Sequence, residues 1–139
     1  MSKKKILLFT VTIVAISVAS VWYYVFVYSK NHHRNVAEEK GIVVTANEMN
    51  KEYQTNEQAA NTKYLDKAVE VSGEVTEVGK NQEGKITVAL KTDDAMSTVF
   101  CTLKDSTSSV QPNQAITIKG KCIGFTSDVR INEGIVIGK

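Results

Sequence analysis

The sequence predicts a mainly β fold: a small five-stranded barrel, one helix packed before it, and one N-terminal helix long enough to span a membrane. Three observations carry this. No charged residue stands between Lys5 and Lys30, and Ile6 to Tyr28 is almost wholly apolar or aromatic. Apolar residues then recur at three- and four-residue steps up to Tyr64, and at two-residue steps after Asp66. The two-residue runs number five, are joined by short turns, and carry Gly73 inside the first.

The elements follow in chain order. At about 1.5 Å of rise per residue, Ile6–Tyr28 reaches across a hydrocarbon core roughly 30 Å thick. Residues 1–29 are therefore read as a transmembrane anchor, with the bilayer as partner of residues 6–28. A cleaved signal peptide is the alternative, since Ser17 and Ala19 are small. Cleavage there would leave Val21-Trp22-Tyr23-Tyr24-Val25-Phe26-Val27-Tyr28 as a greasy mature end, whereas such rings settle naturally at a membrane–water interface. No Cys stands near the end of the apolar run, which excludes lipid attachment of the lipoprotein type at that point. Lys3, Lys4 and Lys5 on the N-terminal flank outweigh Lys30 and Arg34, so the positive-inside bias favours an internal N-terminus and an exported C-terminal part.

Residues 30–44 read as a polar stalk. His32 and His33 lie in it without a Cys or a third His to complete a zinc sphere. Residues 45–139 form the soluble domain, about 100 residues and room for one core. Thr45-Ala46-Asn47-Glu48 has the form of a capping box, and Met49, Tyr53, Asn56, Ala60 and Tyr64 make one stripe of a helix over 46–62. Strands are expected at about 68–78, 85–92, 97–104, 115–124 and 129–138. Gly73 marks a bulge or bend in the first, and Ile135 and Ile137 continue the last. Five strands with short turns favour closure, because an open sheet this small exposes an edge.

Composition excludes several functions. From Gly41 onward eleven cations face thirteen anions, about −2 in all, where a phosphate-wrapping domain is basic. The same stretch has no His, so no histidine-assisted nucleophile is available. There is no Gly-rich phosphate loop and no metal-ligand spacing; Asp93-Asp94 reads as a solvated turn. The expectation is a non-catalytic protein without a cofactor. Cys101 and Cys122 share inward parity, which leaves open a disulfide of about 3 kcal/mol or two buried thiols. On the outward face of the second and third strands stand Phe100, Lys91 and Lys104, a candidate ligand face that is thin for nucleic acid.

The run Tyr53-Gln54-Thr55-Asn56-Glu57-Gln58-Ala59-Ala60-Asn61-Thr62-Lys63-Tyr64, followed by Val69-Glu70-Val71-Ser72-Gly73-Glu74-Val75, resembles the tRNA_anti-like OB-fold family. Val99-Phe100-Cys101 and Thr117-Ile118-Lys119-Gly120-Lys121-Cys122-Ile123-Gly124 extend the likeness to essentially the whole soluble part. The resemblance implies a five-stranded OB-fold-like β-barrel in a small bacterial exported or membrane-attached protein. The motif residues Tyr53, Asn56, Glu57, Ala60, Tyr64 and Gly73 are expected to be structural. The family's function is unsettled, and the expectation from the residues is a membrane-anchored extracytoplasmic OB-fold module of unknown ligand, binding a protein, peptide or saccharide or serving as an envelope scaffold. It would sit as a single-pass protein in the bacterial inner membrane. The alternative is a domain binding single-stranded nucleic acid, which export away from the cytosol makes unlikely.

Overall fold

The computed structural model of the chain describes residues 2–28 and 35–139, in two compact units split after Arg34. The flank and stalk residues Lys30, His32, His33 and Arg34 lie outside the described residues. In the first unit, α1 (Lys3–Tyr23) continues into a π-helical turn (Tyr24–Tyr28). Together they form one helix long and apolar enough to cross a membrane, with mean hydropathy 2.2. Its four Ser and Thr hydroxyls do not stay unpaired: Thr10, Thr12, Ser17 and Ser20 donate back to the carbonyls of Leu7, Leu8, Ile13 and Ile16. That is the arrangement a polar group needs where water is absent.

The second unit is a closed five-stranded barrel with an extra strand and two helices. Its elements are β1 (Ile42–Thr45), α2 (Ala46–Thr55), α3 (Glu57–Tyr64), β2 (Ala68–Lys80), β3 (Ile86–Leu90), β4 (Val99–Leu103), β5 (Ala115–Phe125) and β6 (Val129–Gly138). Strands run β2–β3–β4–β6–β5, and β5 pairs back onto β2 to close the ring. β4 and β6 run parallel; the other barrel pairs are antiparallel. Val69, Val71, Val75, Val88, Leu90, Val99, Cys101, Leu103, Ile118, Cys122 and Ile131 fill the interior, and Met49, Tyr53 and Tyr64 plug it from the helices.

Four details depart from the sequence reading. The stalk assigned to 30–44 ends early: Val36 is buried, and Ile42–Thr45 pairs parallel with Val69–Ser72 as β1. Four residues are too few for a two-residue period to stand out beside the charged run before them. The helix expected over 46–62 breaks at Asn56, which leaves the helical region (φ −157°) and caps α3 by accepting from the Ala59 amide at 3.1 Å. Asn is among the best N-caps, so it competes with helix continuation. The bulge lies between Val75 and Glu77 of β2. Gly73 is needed instead for close packing, since a Cβ there would stand 3.1 Å from that of Ala46 and 3.3 Å from that of Leu90. In β6 an extra residue around Glu133, held at φ 53°, reverses the alternation. Val136 packs on the core while Ile137 is left outside.

The capping box at Thr45 forms as expected, with Thr45 and Glu48 exchanging side-chain and backbone bonds. Thr45→Ala should therefore lower stability by about 1 kcal/mol, read as a shift in the urea midpoint at unchanged m-value.

Candidate ligand-binding face

Strand alternation sets the outer face of β3, β4 and β6. Val88, Leu90, Val99, Cys101 and Ile131 point inward, so Ala89, Phe100, Thr102 and Arg130 take the other face, where Ala89 is itself covered, Phe100 and Thr102 are half-buried and Arg130 is exposed. Register then builds a row across four strands: Glu77 opposes Ala89, Ala89 opposes Phe100, and Phe100 opposes Arg130. The Arg130 guanidinium carbon lies 5.5 Å from the centroid of the Phe100 ring, a cation–π pair at the centre of the face. Thr87 and Thr102 make the next row.

Lys91 and Lys104 lie just past the ends of β3 and β4, at opposite ends of this ladder. The register puts Lys91 across from Thr98, six residues from Lys104, about 20 Å at 3.3 Å per residue. Phe100 stands between them. Neither lysine has an ion-pair partner among the described residues, whereas Lys85 beside Lys104 is held by Glu83 at 3.0 Å. Lys91 also borders a separate cleft beyond β2. The sequence reading found Phe100, Lys91 and Lys104 but missed Arg130. Its only local signal was the outward parity of Val129-Arg130-Ile131; what makes it a neighbour of Phe100 is the β4–β6 pairing.

The loop from β3 to β4 is fixed by buried polar contacts. Ser97 Oγ is within hydrogen-bonding distance of Asn50 Oδ1 (2.8 Å) and the Ser127 carbonyl (2.9 Å). Asp128 accepts from the Thr98 amide at 2.7 Å, which ties the β5–β6 turn to β4 and holds Arg130 in register. Asp93 accepts from the Asn47 amide group, and Asp94 from Gln54 and from the Met96 backbone amide. The Met96 amide foremost, then Gln54, lowers the Asp94 carboxyl. These two carboxylates are thus bonded to α2 and to their own turn. Among the described residues no three His, Cys, Asp or Glu gather as a metal cluster.

Cys101 and Cys122 are two buried free thiols, and the disulfide alternative fails on topology. Both oppose Ile131, so β6 runs between their strands. Two strand spacings come to about 10 Å, beyond the roughly 7 Å that a disulfide spans. Tyr53 Oη lies 3.3 Å from Cys122 Sγ. Burial, with the nearby Cys122 second, pushes the Cys101 thiol from 9.0 up to about 12, and burial also raises Cys122 and Tyr53. The unfolded chain therefore loses these protons first. Stability is whole below about pH 9 and falls as pH rises toward 12. Thermal melts should show this alkaline decline, flattened by Cys101→Ala. Both thiols should resist alkylation at pH 8 until the chain unfolds.

Tyr53 stacks on Tyr64 at 6.1 Å and on Phe125 at 5.5 Å; Ala60 is buried where α3 meets the core; Glu57 opens α3. Glu52 and Lys63 clip the two helices together at 2.8 Å, and that bond from Lys63 lowers the Glu52 carboxyl.

The tRNA_anti-like family model matches residues 1–133. The chain belongs to the tRNA_anti-like family. No curated protein matches it in sequence. The fold of this tRNA_anti-like chain is similar to that of a Klebsiella pneumoniae subsp. pneumoniae protein described as a "putative nucleic acid-binding lipoprotein". The TM-score is 0.55 at 15% identity, over 68% of this chain and 92% of that one. At that identity the likeness speaks for the barrel and leaves the ligand to the side chains.

Proposed function

We propose that this protein is a non-catalytic, membrane-anchored binding module, its OB-fold barrel held outside the cytoplasm of a bacterium by α1. Its ligand lies across β3, β4 and β6. The observation that carries this is the Phe100–Arg130 pair, a ring and a guanidinium presented together at the middle of a sheet face with a free lysine toward either end. Aromatic and Arg side chains are the usual anchors of binding surfaces. A photo-crosslinking residue at Thr102, in cells, should capture one reproducible envelope partner and lose it with Phe100→Ala. Capture that ignores Phe100 would refute the assignment of the face. Protease added to spheroplasts should digest residues 35–139; full protection would refute the topology.

The same pair favours a second reading, single-stranded nucleic acid, in which a base stacks on Phe100 and phosphates follow Lys91, Arg130 and Lys104. The similar Klebsiella fold lends it support. Three phosphate contacts predict a salt slope of about −2 in log K against log [salt]. Loss of Phe100 should then weaken binding by about 1–3 kcal/mol. Anisotropy of a labelled oligodeoxythymidine with the purified full chain measures both, and no binding at low salt removes this reading.

A further inference from the structure

A second concavity lies away from the Phe100 face, where β1, β2, β5 and the end of β6 meet the start of α2. Its volume, about 730 Å³, falls within the range of small-molecule sites. The floor is a row of hydroxyls set by register: Thr45 opposes Ser72, Ser72 opposes Thr117, and Thr117 opposes Gly138. Strand spacing puts successive hydroxyls about 4.8 Å apart. Val44, Val71, Ile116 and Ile118 point inward on the same strands, so the row faces out.

The hydroxyl of Thr45 is engaged in its capping box. Those of Ser72 and Thr117 are not. Both residues are half-buried, and neither hydroxyl bonds a protein group among the described residues. Each offers one donor and two lone pairs. On the rim stand Glu74 and Lys91, joined through their backbones at 2.8 Å and ion-paired to nothing described. Asp93, which accepts from Asn47, and Lys139, whose ammonium reaches the Ser109 carbonyl, also line the cleft, again one charge of each sign.

We propose that this cleft is a binding site for a neutral polyhydroxylated ligand, a short saccharide. Charge argues against the alternatives. A polyanion meets Glu74 and Asp93, a polycation meets Lys91 and Lys139, and the balanced rim produces no net field for either. Among the described residues no aromatic side chain lines the cleft, so a nucleobase finds no stacking surface there. A sugar hydroxyl both donates and accepts. It satisfies Glu74 as donor, Lys91 as acceptor, and Ser72 or Thr117 in either sense.

The test uses the full chain in nanodiscs, free of sugar-based detergent, with triacetylchitotriose and maltotriose as probes and saturation-transfer NMR as the readout. At least one trisaccharide should bind saturably and survive 0.5 M salt. Phe100→Ala should leave that binding unchanged, which separates this site from the β3–β4–β6 face. The pair Ser72→Val and Thr117→Val should weaken it about tenfold or more, the loss of two ordinary hydrogen bonds. Glu74→Gln, an exposed change that tests the rim if the valine variant folds poorly, should weaken it several-fold. The proposal is overturned by an absence of saturable signal from both sugars or by binding indifferent to these substitutions. Tri-alanine or inorganic phosphate binding at the cleft in place of the sugars overturns it too.

Discussion

Tyr53→Ala is expected to cost the barrel unit about 3–5 kcal/mol, the range for deleting a buried aromatic side chain. Tyr53 is 1% exposed and stacks on both Tyr64 of α3 and Phe125 of β5. Its ring is therefore the joint between the helices and the barrel mouth. With total stabilities of 5–15 kcal/mol, such a loss leaves a marginal or unfolded domain at 37 °C. Tyr53→Phe separates the ring from the hydroxyl. It keeps the stacking and removes only the contact with Cys122 Sγ, so it should cost no more than about 1 kcal/mol. Denaturant titration of both variants checks this, and equal losses would show that the ring is not the joint.

Gly120→Val should cost about 3 kcal/mol, for the opposite reason. A Cβ at Gly120 would stand 2.5 Å from Ile131 Cγ2 and 2.9 Å from the Asn132 carbonyl oxygen. The second contact is backbone, which cannot rotate away, so β5 and β6 must part beside the β6 bulge. Overpacking of this kind typically costs 1–3 kcal/mol, and each kcal/mol lowers Tm by roughly 4–8 °C in a domain of this size. A melt within 2 °C of the parent would show that β6 yields more freely than its register implies.

The barrel was legible because a two-residue period with Gly and Asn turns is a local signal, and all five of its strands carry it. Features that depend on who lies beside whom were not legible. Cys101 and Cys122 have the parity of a bridge, but the strand between them is set by the order of closure. Arg130 looked like an ordinary outward residue until β6 was placed beside β4. Asn56 misled because it sits on the helical stripe at the expected step while acting as a cap. Ile135 and Ile137 misled because the residue that turns left-handed is Glu133 itself, between Asn132 and Gly134, and it reversed their phase. Of the candidate site, Phe100, Lys91 and Lys104 were read from parity alone, and the row through Glu77 and Arg130 required the fold.

The docking of residues 35–45 onto the barrel bears on how the domain can be excised. Val36 and Val44 are buried, Lys119 reaches the Ala37 carbonyl at 3.2 Å, and β1 lines one side of β2. A recombinant fragment begun at α2 would bare the flank of β2 and strip the N-cap from α2, inviting intermolecular strand addition. Expression boundaries are better drawn before Asn35.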